Sequence, residues 1–520
     1  MGSRTKDMPP GPPTVPILGN AGIFPKEFPH FQFTEWAKQY GDIFSLKVLN
    51  KTIIVISSPT LVKEIIEKRS ASNTNRPASI LADMITPNNM NLGTGHYAND
   101  TWKIMRRASM QLLNNETLKK HRPYQHAEAT QLMWDLAHDP ENWFTNINRY
   151  TTSFALGIIY GKRAPRRQSQ DCAAFLEVHP QFMHALELGT MPPVDLFPIL
   201  TLVPERFAEW KRTVKHIRNL HETLYWRLLR TVERRIEKGL ATDVFMEQAI
   251  INRKEWDLDD DTLLMNLGGT LLEGTDTTSG TMQGVVLALV SFQDKQKKLQ
   301  EEMDRVVGSE RPPAWEDIPN LPYLQAFLEE CHRFRPVGPL GLPHEMGEDE
   351  WVDGMLLPKD SVVFINMWAI SHDPRYFDDP EEFIPERFLQ NPLGVKAGVQ
   401  DDPARRKNLI FGGGRRICPG LVFANTSLEL NLANFVWAFN FLPEIDPKTG
   451  KENPPSLWNH TTGITAIPKP FKCRVVPRST ERVEIIDRAF AKAAEFLQPY
   501  ELELDEEDRN FNKIWRDSIE

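Results

Sequence analysis

The sequence predicts a mainly α-helical chain with small β-sheets, an α+β fold in which helices far outweigh strands. Three observations carry this. From about residue 100 to 310 apolar residues recur at helical spacing between charges, as in "PERFAEWKRTVKHIRNLHETLYWRLLRTVERRIEKG" over residues 204–239. Residues 41–57, "GDIFSLKVLNKTIIVIS", instead alternate β-branched and other residues around an Asn-Lys turn and read as a hairpin, the start of a small sheet. Between residues 335 and 420 prolines are frequent and strands short ("SVVFINMWA"), and an apolar helix over 419–441 follows, opened by Pro419 near its first turn.

With 520 residues, 41% hydrophobic and 25% charged, the chain is long and apolar enough to bury a large core, which excludes a disordered or fibrous protein. The net charge of -9 excludes general nucleic-acid affinity, because phosphate binding needs a basic surface. The four cysteines, Cys172, Cys331, Cys418 and Cys473, form no CxxC pair, so neither a disulfide framework nor a zinc ribbon is expected, and their use is that of a reducing compartment. No internal repeat or low-complexity segment occurs. Residues 1–13 read as a stiff, Pro-rich lead-in without the roughly 20 apolar residues a membrane span needs, so a native membrane anchor is expected to have been removed. Residues 479–520 read as an acidic, partly helical extension.

The stretch "FGGGRRICPG", Phe411 to Gly420, concentrates the chemistry. Three glycines allow tight turns and close approach to a flat partner. A cysteine just before Pro419 and a helix start sits where the helix dipole favours a thiolate, and the chemistry implied is metal ligation by sulfur. Arg416, two residues earlier, supplies a cation for that anion or for a carboxylate of the bound group. A lone cysteine in such a turn is more often merely buried. Here Phe411, Gly414, Arg416, Cys418 and Gly420 fill every fixed position of F-x-x-G-x-R-x-C-x-G. A chance match with five letters at ~5% usage is on the order of 1 in 10,000 for such a chain.

On these residues the sequence resembles the cytochrome P-450 family of haem-thiolate monooxygenases. The resemblance spans about residues 9 to 478, with residues 14–478 as the haem-thiolate catalytic domain. It implies that haem b lies between an oxygen-activating helix and the cysteine-ligand helix, with Cys418 as the axial iron ligand.

Further motifs stand in the family's order. Glu330 and Arg333 share a helical face at i, i+3 and match E-x-x-R, and "PERF" at 385–388 supplies Arg387. By resemblance the three form a buried scaffold, and removing one member would cost roughly 3 to 5 kcal/mol. Trp102 and Arg106 lie one helical turn apart and can reach one shared anion; the family's W-x-x-x-R assigns both to a haem propionate, with His344 and Arg416 as further propionate candidates. "LLEGTDTT" interrupts an apolar helix with Glu273 and Asp276 at its middle, so a kinked buried helix is expected rather than a membrane span. By resemblance Thr277 hydrogen-bonds the bound dioxygen and Asp276 relays protons. Glu273 stands where the family usually has a small residue. Its carboxylate needs compensation, from a substrate group, from a hydrogen bond across the kink, or from the ester to a haem methyl that a fatty-acid ω-hydroxylase branch with E-G-x-D-T-T forms.

The resemblance implies insertion of one oxygen atom from O2 into a hydrophobic small molecule, most like fungal members that modify secondary metabolites or xenobiotics. Oxidative coupling, ring formation or rearrangement on the same scaffold is the alternative, and a non-catalytic haem sensor a third reading. No flavin or nicotinamide module fits in the remaining residues. Electrons are therefore expected from NADPH through NADPH-cytochrome P-450 reductase, with cytochrome b5 as a second donor, at the cytosolic face of the endoplasmic reticulum membrane, to a monomeric enzyme. Candidate docking cations are Arg405 to Lys407, Arg415, Lys103 and Arg107. Pocket lining is expected from residues 81–86, 266–270, 337–342 and 461–465.

Overall fold

A computed structural model describes residues 2–519 apart from 188, 400–403 and 408, and the side chains only as far as residue 514. Helices dominate. Those that frame the site and the terminal segment are, in chain order, α1 (Asp100–Leu112), α2 (Asn115–His138), α3 (Trp143–Tyr160), α4 (Gln170–Leu186), α5 (Glu209–Glu237), α6 (Asp261–Glu273), α7 (Thr275–Ser291), α8 (Pro322–Phe334), α9 (Leu421–Ala438), α10 (Thr480–Leu497) and α11 (Glu506–Ile519). Several begin on side-chain caps: Asn99 opens α1, Asn114 opens α2 and Asp260 opens α6, each accepting from a first-turn N–H.

Four strands, β1 (Ile43–Val48), β2 (Lys51–Ile56), β3 (His344–Glu345) and β4 (Val362–Ile365), form one sheet in the order β1-β2-β4-β3. β1 and β2 pair antiparallel with Leu46 opposite Ile53 and Phe44 opposite Val55, whereas β2 and β4 run parallel. This register places the hairpin turn at Leu49-Asn50 rather than at Asn-Lys, because Val48 pairs with Lys51; Leu49 takes the left-handed conformation at φ 55°. Packing of the apolar pairs fixes the register, and the turn absorbs the strain. A second sheet pairs β5 (Phe439–Ile445) with β6 (Cys473–Pro477). Its start shortens the helix expected over 419–441. Gly420 is the N-cap and Ala438 the last helical residue, after which Phe439 and Phe441 turn alternately into the core.

The main core is a continuous layer of α2, α3, α5, α6, α7 and α9, centred on fully buried Trp143, Tyr150, Phe435 and Trp437. The final segment is more helical than its acidic composition suggests. α10 lies along α2 with Phe490 against Trp134. No helix among the described residues is long and apolar enough to cross a membrane.

Candidate active site

The cysteine loop is two short helical turns, Leu409–Phe411 and Gly414–Arg416, joined through glycine. Gly414 has φ 58°, and a Cβ there would lie 2.5 Å from the Ile66 carbonyl oxygen, so no side chain fits. The Cys418 N–H donates to the Phe411 carbonyl at 2.9 Å, and the Phe411 ring meets His332 edge-on at 6.0 Å. Cys418 thus precedes the N-terminus of α9 by three residues. Burial pushes its thiol pKa up, against the Gly420 and Leu421 N–H groups and the Arg106 guanidinium, which favour the thiolate. Burial wins, so the thiolate needs a cation directly on sulfur.

Around this loop gather cations without counter-ions. Arg416 stacks on the Trp102 ring at 3.7 Å and donates to the carbonyls of Thr74 (2.8 Å) and Gly95 (2.5 Å). Arg106 donates to the Ile417 carbonyl at 2.6 Å, and Trp102 Nε1 to Leu92 O at 3.1 Å. His344 Nδ1 lies 2.9 Å from the Asn73 carbonyl. The sequence reading missed Arg76, which stands in no motif. Buried, it donates to the carbonyls of Gly93 (3.0 Å), Leu342 (2.8 Å) and Pro343 (2.9 Å). Burial and the neighbouring guanidinium of Arg106 lower Arg76 to about 9; burial, Arg76 and Arg106 lower Arg416 to about 8. Burial, with Arg76 and Arg416 adding to it, lowers His344 to about 3. No carboxylate among the described residues pairs with Arg76, Arg106 or Arg416. Three guanidinium groups that repel one another in a low-dielectric site call for an external anion. Trp102 and Arg106 share no anion within the chain, since each donates to a separate carbonyl.

Behind the loop, the structure brings Glu330, Arg333 and Arg387 together. Glu330 is fully buried; Arg333 grips it with Nε at 2.7 Å and Nη2 at 2.8 Å, and Arg387 Nε lies 3.3 Å away. The Ile384 N–H also donates to it at 2.7 Å. Arg333 spends its other protons on the carbonyls of Ser371, Pro380 and Glu382, which ties α8 to the loop preceding Arg387.

The long apolar helix breaks at Gly274 into α6 and α7, and α7 packs against α9, the helix that follows Cys418. Thr277 Oγ1 donates to the Gly274 carbonyl at 3.2 Å, and Thr277 is exposed although α7 packs against α3 and α9. Glu273 is held by Asn91 Nδ2 at 2.8 Å and by Tyr225 Oη at 3.0 Å. Burial raises its pKa to about 7 against those two donors. Asp276 Oδ2 lies 3.9 Å from His179 Nε2.

Of the expected lining, Leu81, Ala82 and Ile85 are buried, Thr270 accepts from the Leu92 N–H at 3.1 Å, and Val337 accepts at 2.8 Å from the N–H of Ala466, one residue beyond the expected 461–465. A cleft between these last two loops is lined by Gly280, Thr281, Val337 and Ala466. The candidate docking cations divide. Arg405 lies over the Tyr376 ring at 3.8 Å and Arg406 pairs with Glu67 at 2.9 Å, so both brace the loop. Lys103, Arg107, Lys407 and Arg415 are exposed, although Lys103 pairs with Asp100 at 2.9 Å, Arg107 pairs with Asp257 at 2.6 Å and Arg415 donates to the Tyr97 hydroxyl at 2.6 Å.

A cysteine at a helix N-terminus, carboxylate-free arginines beside it and a broken helix packed on the helix that follows it define a haem-thiolate protein. Known proteins agree. The family model for cytochrome P-450 matches residues 9–475. A cytochrome P-450 monooxygenase of Armillaria gallica is 39% identical over 502 residues, covering 96% of this chain and 95% of its own. The monooxygenase patH of Penicillium expansum is 38% identical over 501 residues, covering 95% and 93%. A solved zebra fish cytochrome P-450 structure with progesterone shares 25% identity at a TM-score of 0.71, over 86% of this chain and 99% of that one. The chain belongs to the cytochrome P-450 family. It is a haem-dependent monooxygenase, an oxidoreductase that takes electrons from a redox partner. The match over 96% of the chain also runs past residue 475, into α10.

The residues present fit haem. Its iron supplies the cation that Cys418 requires, and its two propionates supply the anions that the arginine cluster lacks.

Proposed function

We propose that this enzyme inserts one oxygen atom from O2 into a C–H or C=C bond of a hydrophobic small molecule, in fungal secondary metabolism. The observation that carries the reading is the pairing of Cys418 at the start of α9 with Arg76, Arg106 and Arg416, which have no carboxylate partner. The bound haem supplies the reduction and cleavage of dioxygen. Cys418 ligates the iron. Trp102, Arg106, Arg416, Arg76 and His344 surround the propionates, while Phe411, Gly414 and Gly420 shape the loop. Glu330, Arg333 and Arg387 hold that loop's foundation. On the opposite face Thr277 holds a proton toward the oxygen site and Asp276 resupplies it. The apolar side chains of Leu81, Ala82, Met84 and Ile85, with residues 337–342, exclude water and admit a neutral substrate.

NADPH-cytochrome P-450 reductase is the proposed electron donor, with cytochrome b5 as a second; the exposed Lys407 and Arg415 offer an acidic partner positive charge, and Lys103 and Arg107 do so in exchange for their own partners Asp100 and Asp257. The proposed setting is the cytosolic face of the endoplasmic reticulum membrane, with the enzyme a monomer of a catalytic domain, residues 14–478, and a C-terminal extension.

The test is the carbon monoxide difference spectrum of the reduced protein. The band of thiolate-ligated haem is expected and should vanish in Cys418→His. Persistence of that band in the variant would remove Cys418 from its role. Turnover under labelled dioxygen then reads oxygen insertion directly, since a product without the label would exclude it.

A further inference from the structure

His179 is buried on α4, its ring stacked on Phe175 at 5.0 Å, and neither ring nitrogen has a hydrogen-bond partner. An imidazole with both nitrogens unpaired costs free energy unless something else engages them. The side chain is aimed across at α7, with Nε2 3.9 Å from Asp276 Oδ2, a gap too short for an intervening water and one that a small side-chain rotation closes. Pro180 follows directly and removes the N–H that would bond the Leu176 carbonyl, which loosens α4 at this turn. Nδ1 is left for water, the usual partner of a buried, otherwise unsatisfied polar atom.

We infer that His179 is a positioning residue that holds the Asp276 carboxylate and passes it the protons consumed at Thr277. This rests on the reading of Asp276 and Thr277 as the proton-delivering pair. A proton relayed from bulk solvent by water enters at Nδ1 as the Nε2 proton passes to Asp276, which leaves the ring neutral with its proton on Nδ1. Exchange with solvent restores the Nε2 proton before the next transfer, so each cycle moves one solvent proton and no electron.

The surroundings suit such a relay. Two titratable groups face His179: Asp276 from α7, which favours the imidazolium, and His221 from α5, which feels the His179 charge and opposes it. Its own helix contributes Phe175 and Phe182, whose rings flank it. Burial is the larger effect and lowers the pKa of His179, so the ring rests neutral near pH 7 and carries a proton only in passage, as a shuttle requires.

The experiment uses the haem-loaded enzyme with its reductase and no added substrate. NADPH consumption, oxygen consumption and peroxide are measured together: one NADPH per O2 gives peroxide, whereas two NADPH per O2 give two waters. His179→Phe, which preserves the stack, is expected to slow NADPH consumption roughly tenfold, the size typical of losing an outer partner of a functional group. The solvent deuterium isotope effect should rise, with the carbon monoxide band unchanged. Asp276→Asn should slow the reaction as much, and the double variant no further. Thr277→Ala should instead divert oxygen to peroxide at an undiminished rate. A wild-type rate and isotope effect in His179→Phe beside a slowed Asp276→Asn would overturn the inference and leave the Asp276 reading standing. Wild-type behaviour in Asp276→Asn would overturn both. Should His179→Phe fail to hold haem, nitrogen NMR of the histidine-labelled, reduced, carbon-monoxide-bound enzyme decides: the His179 titration must move to lower pH in Asp276→Asn, and an unmoved titration sinks the idea.

Discussion

The Tyr225 hydroxyl donates to Glu273 Oε1 across 3.0 Å, and Asn91 takes the other carboxyl oxygen at 2.8 Å. These two neutral donors compensate the carboxyl that the sequence placed beside the helix break. The compensation is incomplete, since burial still raises the Glu273 pKa from its ordinary 4.5 to about 7. In the unfolded chain the group ionises near 4.5, and in the folded protein only near 7, so the unfolded state loses its proton first. Stability from this group is therefore highest below pH 4.5, falls as pH rises to 7, and stays low above. A shift of that size corresponds to roughly 3 kcal/mol at most, at 1.36 kcal/mol per pKa unit. Glu273→Gln should remove this loss. Thermal melts at pH 5 and pH 8 are expected to differ less in the variant than in the wild type, and an identical pH dependence would show that Glu273 ionises freely.

The same geometry bears on the covalent haem ester. An esterified glutamate would give up its charge and one of the two hydrogen bonds that orient it, whereas both oxygens of Glu273 are already held by Asn91 and Tyr225. Haem extracted by acid after turnover is expected at its unmodified mass. Haem retained on the wild-type chain but freed from Glu273→Ala would establish the ester instead.

What the sequence displayed and what it concealed follow from locality. Cys418, Glu330, Arg333 and the broken helix at Gly274 stand in contiguous motifs whose spacing is itself the geometry, so a reader of the chain can place them. Arg76 and His179 act across the fold, one through three carbonyls of distant loops and the other across α4 and α7, and no spacing along the chain announces either. The hairpin was legible from its β-branched residues, but its register was set by Leu46 against Ile53 and not by the turn, so the turn residues were misplaced by one. The end of α9 escaped for a similar reason. Phe439 and Phe441 are apolar enough to continue a helix, and only pairing with β6 makes them a strand.

Arg76 should govern haem retention. It is buried among carbonyls with Arg106 as its charged neighbour, so its guanidinium gains most from an added carboxylate. A hydrogen bond to a charged group contributes about 1.5 to 3 kcal/mol. Arg76→Leu is accordingly expected to release haem at least tenfold faster, measured by transfer to a haem-free acceptor protein. A release rate equal to wild type would place Arg76 outside the propionate site.

The terminal segment reaches a buried charge network through Glu501. Glu501 pairs with Arg163 at 2.6 Å, and Arg163, wholly inaccessible to solvent, also donates to Glu128 at 3.0 Å. Glu128 in turn pairs with Arg149, which holds Asp135. Beside this network the Tyr500 ring lies 4.3 Å from that of Tyr124 in α2, and the Arg163 N–H donates to the Tyr500 carbonyl at 3.2 Å. Removing the Glu501 carboxylate strips Arg163 Nη1 of its partner in a place water cannot reach, at a cost of roughly 1.5 to 3 kcal/mol. Glu507 makes the matching contrast. It pairs with Arg166 at 3.2 Å but is 80% exposed, where an ion pair contributes at most about 1 kcal/mol. Glu501→Ala is thus expected to lower the midpoint of thermal unfolding clearly and Glu507→Ala hardly at all. Equal effects in the two variants would mean that the segment after α10 lies on the catalytic body without bracing it.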